Sequence, residues 1–267
     1  MKEINELLSI MKHLRDPDAG CPWDKKQTFS SIGAYTLEEV YEVLESIESN
    51  DMEGLCDELG DLLFHIAFYA EMAEEQGHFD FRQIVEKVSS KLKRRHPHVF
   101  ADKILENDKD LSLSWESIKQ TEREDKARKN NHKSRFLDNI STNMPAIMRA
   151  EKLQKRAATI DFDWLELKPV IEKIEEELDE LKAEINEQCR EKEIIEEMGD
   201  LLFSCVNLSR HIKVNPEFAL RQANYKFESR FRIIEEKLEA ENLTLTEAST
   251  EQMEALWEVA KAMENQS

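Results

Sequence analysis

An all-α fold built as two tandem helical bundles is what this sequence predicts, and three observations carry the prediction. Of 267 residues, 35% are charged and 40% hydrophobic, with only six Gly and six Pro. That balance, rich in Glu, Lys, Leu, Ile and Ala, favours helices over sheets. Apolar residues recur at helical spacing along the chain, and no convincing alternating-strand segment interrupts them. The two halves also repeat one another. "CPWD" around Trp23 is followed by "TLEEVYEVLESI" and "DELGDLLFHIAFYAE"; "DFDW" around Trp164 is followed by "KIEEELDELKAEI" and "EEMGDLLFSCVNLSR". "SKLKRR" (90–95) then aligns with "YKFESR" (225–230), and "WESIK" (115–119) with "WEVAK" (257–261).

Each half reads as about four main helices. In the first they run roughly over 3–15, 36–50, 52–76 and 80–95, with a further one around 108–125. Thr36 with Glu39 suggests a capping box, Asp80 precedes an apolar run, and Asn215-Pro216 suits a cap followed by Pro at the first helical position. The turn near Asn50–Glu53 folds the second and third helices antiparallel. "EREDKARKNNHKSRF" (122–136) is nearly free of apolar residues and divides the chain. The expected organisation is a helical domain over 1–125, a linker over 126–139 and a second helical domain over 140–267.

A net charge of −20 opposes sequence-independent binding of DNA or RNA, which needs a basic footprint, and opposes adhesion to anionic membranes. Cysteines 21, 56, 189 and 205 show neither C-x-x-C spacing nor a disulfide framework, which suits a reducing cytoplasm. The opening "MKEINELLSIMKHLRD" reads as an amphipathic helix rather than a signal peptide. No apolar run approaches the roughly 20 residues of a membrane span. The expected location is cytoplasmic.

Within the repeat, an E-E-x-x-E cluster precedes an E-x-G-D cluster, with fifteen residues between Glu42 and Glu58 and sixteen between Glu180 and Glu197. Residues three or four apart share a helix face. Glu39 and Glu42 therefore project together, as do Glu58 and Asp61 from the next helix; the second set is Glu176, Glu177, Glu180, Glu197 and Asp200. A single acidic run is ordinarily a solvated face, but Asp61 and Asp200 are each followed by Leu-Leu-Phe, at the margin of the core. Carboxylates gathered there repel one another unless a cation joins them. An all-oxygen set selects a hard cation, Mg²⁺ first and Mn²⁺ as a substitute. Gly60 and Gly199, inside predicted helices, suggest close approach of a ligand or neighbouring helix, or a small residue kept for packing. A di-iron bundle needs paired E-x-x-H motifs, and only Glu75–His78 has that spacing. His96 and His98 lack a matching ligand pair for zinc, and Walker and Rossmann glycine motifs are missing.

Lys226 and Arg230, one turn apart, are suited to grip phosphate oxygens. Lys173, one turn before Glu177, is placed to reach the same cavity. Trp257, with Lys261 one turn on, either stacks on a base or is simply a packed aromatic.

The E-E-x-x-E…E-x-x-D pattern resembles the all-α nucleoside triphosphate pyrophosphohydrolases, and "CPWD", "YTLEEVYEV", "ELGDLLF" and "RRHPHVFAD" closely resemble the MazG family. The likeness covers nearly the whole chain, including its two-repeat layout. It implies hydrolysis of a nucleoside triphosphate to monophosphate and pyrophosphate, homodimers, and main activity in the C-terminal domain. On that basis Glu177, Glu180, Glu197 and Asp200 would hold Mg²⁺, with Glu39, Glu42, Glu58 and Asp61 as a second site. Glu176 would orient a ligand or act as general base, catalytic beside Glu177. Lys173, Lys226, Arg230, Trp257 and Lys261 would bind the nucleotide. Broad clearance of aberrant nucleotides is the expected role. The alternative is a non-catalytic nucleotide- or metal-sensing helical protein.

Overall fold

The computed structural model describes residues 2–101, 118, 121, 122, 125, 128, 135–186 and 191–264. The helix expected around 108–125, the "WESIK" block and most of the expected linker thus lie largely outside the described residues. Those residues form ten α-helices and no strand: α1 (Lys2–Leu14), α2 (Phe29–Glu48), α3 (Met52–Glu75), α4 (Phe81–Arg95), α5 (Pro97–Phe100), α6 (Ala146–Ala158), α7 (Leu167–Asn186), α8 (Glu191–His211), α9 (Pro216–Ala240) and α10 (Thr250–Glu264). No described helix is long and apolar enough to cross a membrane. The chain divides into two compact units, Met1–Glu122 and Arg123–Ser267.

In the first unit α2 and α3 form the principal pair, with α1 laid on α3. Asn50, at φ 57°, takes the left-handed conformation that reverses the chain, and Asp51 caps α3 by accepting from the Gly54 amide. The α1 and α3 stripes meet in a core of Met11, Ile32, Ala67, Phe68 and Met72, flanked by Leu7, Leu8, Leu14, Phe64 and Tyr69. Asp80 caps α4 in a capping box with Gln83, as its position before the apolar run suggests.

The helix expected from residue 36 begins earlier. Thr28 and Ser31 form the capping box of α2, so Thr36 lies in the helix interior, where its hydroxyl donates to the Ile32 carbonyl. At Gly60 and Gly199 an added Cβ would meet nothing within 4 Å. Close packing against another element of the described chain is therefore not what these glycines serve.

In the second unit α7 and α8 pair, α6 packs on α8 and on α9, and α10 packs on α9. Val170, Leu181, Val206, Ile234, Leu238 and Ala260 are its buried apolar side chains along those helices. Asn215 caps α9 with Pro216 at the first helical position, as expected. Residues 135–139, expected at the end of the linker, fold onto this unit: Arg156 on α6 donates to the Asp138 carbonyl at 2.5 Å.

Candidate metal and nucleotide site

Helical spacing delivers the carboxylates to one place in each unit. On α2 and α3, Glu39, Glu42 and Glu58 offer oxygens all within 4.8 Å of one another; on α7 and α8, Glu177, Glu197 and Asp200 do the same. The fourth expected ligand of each set stands outside the tight trio, and it is Asp61 in one unit but Glu180 in the other. Both still act on the trio electrostatically. Burial, then the charges of Asp61, Glu42 and Glu58, push the Glu39 carboxyl above its ordinary value. Burial, then Glu180, Glu177 and Asp200, push Glu197 up in the same way. Glu58 is raised by burial and by Glu42 and Asp61, with a hydrogen bond to Glu42.

This donor set fits a divalent cation. All ligand atoms are hard oxygens gathered within 4.8 Å of one another, the donor type that Mg²⁺ takes, and burial with neighbouring carboxylates raises Glu39, Glu58 and Glu197.

What stands behind the trio differs between the units. In the first, the buried His65 on α3 approaches Glu39 with Nε2 3.9 Å from Oε1. His65 Nδ1 lies 2.8 Å from Thr36 Oγ1, which lies 2.8 Å from the Tyr69 hydroxyl. Burial holds the imidazole below its ordinary value, so it backs Glu39 as a neutral group. Sequence reasoning passed over His65 and Tyr69 and read Thr36 as a helix cap; the available signal was a lone His in the apolar run "LLFHIAF". In the second unit the repeat register puts Ser204, Ile174 and Leu208 at those positions. The partner there is Lys173 (Tyr35 in the first unit), whose Nζ lies 2.7 Å from the buried Glu177 and 2.9 Å from the exposed Glu176. Hydrogen bonds to Glu177 and then Glu176 raise its affinity for the proton strongly. Lys173 thus reaches the cavity that its spacing indicated.

The remaining nucleotide candidates gather as a second group, on α9 and α10. Arg230 forks onto Glu264, with Nε at 3.0 Å and Nη2 at 2.7 Å, and its guanidinium lies 5.3 Å over the Trp257 ring. Trp257 also packs against Phe227, ring centres 5.3 Å apart. The Arg230 hydrogen bond and charge, with Lys226 beyond, hold the Glu264 carboxyl below its ordinary value. Lys261 pairs with Glu258 at 2.8 Å on the outer face. The first unit repeats the arrangement: Arg95, at the register of Arg230, pairs with Glu122, at the register of Glu264.

Comparison with known proteins agrees with this architecture. The profile of the MazG nucleotide pyrophosphohydrolase domain matches twice, over residues 27–100 and 166–237, each match containing one carboxylate set. The chain is 50% identical over 265 residues to the nucleoside triphosphate pyrophosphohydrolase of Escherichia coli K12, covering 99% of both chains. It is 43% identical to the nucleoside triphosphate pyrophosphohydrolase/pyrophosphatase MazG of Thermotoga maritima, covering 97% of this chain and 95% of that one. A 41% identity to the uncharacterized protein YabN of Bacillus subtilis covers 99% of this chain and 53% of that protein. With both copies of the domain present and full-length similarity on either side of the linker, the chain belongs to the MazG nucleotide pyrophosphohydrolase family.

Proposed function

We propose that this chain is a cytoplasmic Mg²⁺-dependent hydrolase that converts nucleoside triphosphate and water to nucleoside monophosphate and pyrophosphate, broad in base and suited to clearing aberrant nucleotides. Mn²⁺ is the expected substitute cation. The observation that carries this reading is the convergence of Glu177, Glu197 and Asp200 oxygens within 4.8 Å, beside a lysine already held in the same cavity. The relatives' names, nucleoside triphosphate pyrophosphohydrolase in Escherichia coli and Thermotoga maritima, support the substrate class.

Glu177, Glu197 and Asp200, with Glu180 adjoining, would hold the cation. Bound there, Mg²⁺ supplies neutralisation of the triphosphate and stabilisation of the leaving pyrophosphate. Lys173 then exchanges its carboxylate partners for a phosphate oxygen, which keeps its positive charge opposite negative charge throughout. Glu176, exposed and three residues from Lys173, is placed to take the proton of the water that attacks the α-phosphorus. The bond from that phosphorus to the bridging oxygen breaks, and pyrophosphate leaves. Arg230 and Lys226 supply further cationic contacts to the phosphates, Arg230 by release from Glu264. Trp257 and Lys261 complete the nucleotide contacts on α10.

The second unit is assigned the main activity because its buried Glu177 has a lysine partner, whereas Glu39 faces only a neutral imidazole. Association as a homodimer is supported by the exposed apolar side chains of α2, Leu37, Val40, Tyr41, Leu44 and Ile47; sedimentation gives the state directly. The decisive test follows products from common NTPs and dNTPs with Mg²⁺ in the wild type, Glu180→Ala and Glu42→Ala. Monophosphate and pyrophosphate lost only in Glu180→Ala is the expected result. Loss only in Glu42→Ala moves the chemistry to the first unit. Nucleoside diphosphate with orthophosphate, or no turnover, rejects the reaction.

A further inference from the structure

His65 is a buried polar side chain that the hydrolase reading leaves unused. It is 4% exposed, and it follows Asp61 by four residues and Glu58 by seven, so the three share one stripe of α3. One side of its ring is closed. Nδ1 lies 2.8 Å from Thr36 Oγ1, which lies 2.8 Å from the Tyr69 hydroxyl. Thr36 has a single proton, and it donates that proton to the Ile32 carbonyl at 3.1 Å, a group that only accepts. The Thr36 oxygen therefore accepts from both Tyr69 and His65, which places the imidazole proton on Nδ1.

Nε2 then carries the lone pair, and it faces the carboxylates. It lies 3.9 Å from Glu39 Oε1, and among the described residues no group donates a hydrogen bond to it. A nitrogen lone pair and a carboxylate oxygen repel unless a positive centre joins them. Their separation is within twice the distance of about 2.1 Å that a first-row divalent ion keeps to nitrogen or oxygen, so one ion can touch both. A hydrogen bond on the far ring nitrogen is also what fixes the orientation and tautomer of a metal-ligating imidazole. Glu39, Glu42 and Glu58 supply the oxygens, all within 4.8 Å of one another.

We propose that the first unit's site takes a divalent transition cation, of the Mn²⁺ to Co²⁺ kind, with His65 Nε2 as a nitrogen ligand beside Glu39, Glu42 and Glu58. The proposal rests on the reading of the two carboxylate trios as cation sites. Mg²⁺ keeps to oxygen ligands, whereas imidazole favours transition ions. Thr36 and Tyr69 act through His65, as positioning residues. The second unit has no equivalent, since Ser204, Ile174 and Leu208 stand where His65, Thr36 and Tyr69 stand in the first. Its buried Glu177 is instead held by Lys173 at 2.7 Å. A lysine beside the trio adds positive charge and no donor atom for a metal; a neutral imidazole adds a donor atom and no charge. The two copies of one motif are therefore built for different ions, the first for a transition ion and the second for Mg²⁺.

The test uses the full chain carrying Glu197→Ala and Asp200→Ala, which removes the second trio, with substoichiometric Mn²⁺ as the probe. Electron spin echo spectra are expected to show ¹⁴N coupling to the Mn²⁺. That coupling should become ¹⁵N coupling when the chain is made with ¹⁵N-histidine, a readout that needs no change at position 65. His65→Gln should abolish it. Thr36→Val, by freeing the ring, should weaken Mn²⁺ binding roughly ten- to a hundredfold while Mg²⁺ binding changes little. With Glu39→Ala and Glu42→Ala instead, which leaves only the second trio, bound Mn²⁺ should show no histidine coupling. Mn²⁺ held in the first unit without histidine coupling overturns the nitrogen ligand and leaves the cation reading standing. Coupling that survives His65→Gln puts the ion on another histidine and overturns the proposal. Mn²⁺ bound in neither background overturns both the proposal and the cation reading.

Discussion

Replacing Asp163 by Asn isolates the ion pair that ties α8 to the 161–164 segment of the second unit. Arg210 Nη1 donates to Asp163 Oδ2 at 2.7 Å, Nη2 contacts Oδ1, and His211 Nε2 lies 3.1 Å from Oδ1. The side chains are 12% exposed for Arg210 and 20% for Asp163. Breaking a fully buried pair costs about 3–5 kcal/mol, and an exposed one about 0–1 kcal/mol. This pair lies nearer the buried end, and the variant keeps an amide oxygen for Arg210, so the expected loss is about 2 kcal/mol. For a unit of about 145 residues, Arg123–Ser267, that lowers Tm by roughly 6 °C, read by calorimetry at pH 7. The pH dependence has a defined sign. Burial by itself raises the Asp163 carboxyl, but the hydrogen bond and charge of Arg210, with His211, outweigh it and hold the group below its ordinary value of 3.8. The stabilisation is thus complete above 3.8 and lost as pH falls through the lower folded-state value. The gap between wild type and Asp163→Asn should close over that acid window. A gap under about 1 °C at pH 7, or one that does not narrow as pH falls below 3.8, refutes the reasoning.

Three other outcomes are expected. Glu197→Gln, by removing a carboxylate that its neighbours repel, should raise the Tm of metal-free protein and abolish the further rise that Mg²⁺ gives the wild type; calorimetry with and without Mg²⁺ checks both. Lys173→Met leaves the buried Glu177 without its cation, so metal-free protein should melt earlier and recover more than the wild type on adding Mg²⁺; equal Mg²⁺ responses would contradict the pairing. Phe68→Ala should cost about 3–5 kcal/mol by opening a cavity in the first unit's core, measured by urea denaturation.

The carboxylate sets were legible because helical spacing is a local property: Glu39 with Glu42, and Glu58 with Asp61, share faces whatever surrounds them. The Asp80 and Asn215 caps were legible for the same reason. The start of α2 was not. Thr28 and Thr36 both precede polar residues at the third position, and Thr36 is instead taken by His65 and Tyr69, contacts 29 and 33 residues away. Arg230 reads as a phosphate ligand from its spacing to Lys226, yet the carboxylate that holds it, Glu264, comes from another helix. The difference between the units was hidden by the way the repeat was read. Matches between the halves reveal duplication, whereas Asn207 against Phe68 and Tyr69 against Leu208 are mismatches, visible only when polar residues are asked to explain themselves where the other copy is apolar.

Those mismatches are not scattered. Ser204 for His65, Asn207 for Phe68 and Leu208 for Tyr69 fall within little more than one turn of α8, just beyond Glu197 and Asp200. One short stretch therefore removes the imidazole behind the carboxylates, empties the aromatic core and installs an amide. Loss of a core Phe costs about 3–5 kcal/mol where nothing replaces it. Arg210 restores order at that site by joining Asn207 to Asp163. Gln154 restores a second contact through the Phe203 carbonyl. The second unit has thus exchanged a dry core for a hydrogen-bonded frame in which Gln154 Oε1 and Arg210 Nε are left without partners, an exchange that stability alone does not favour.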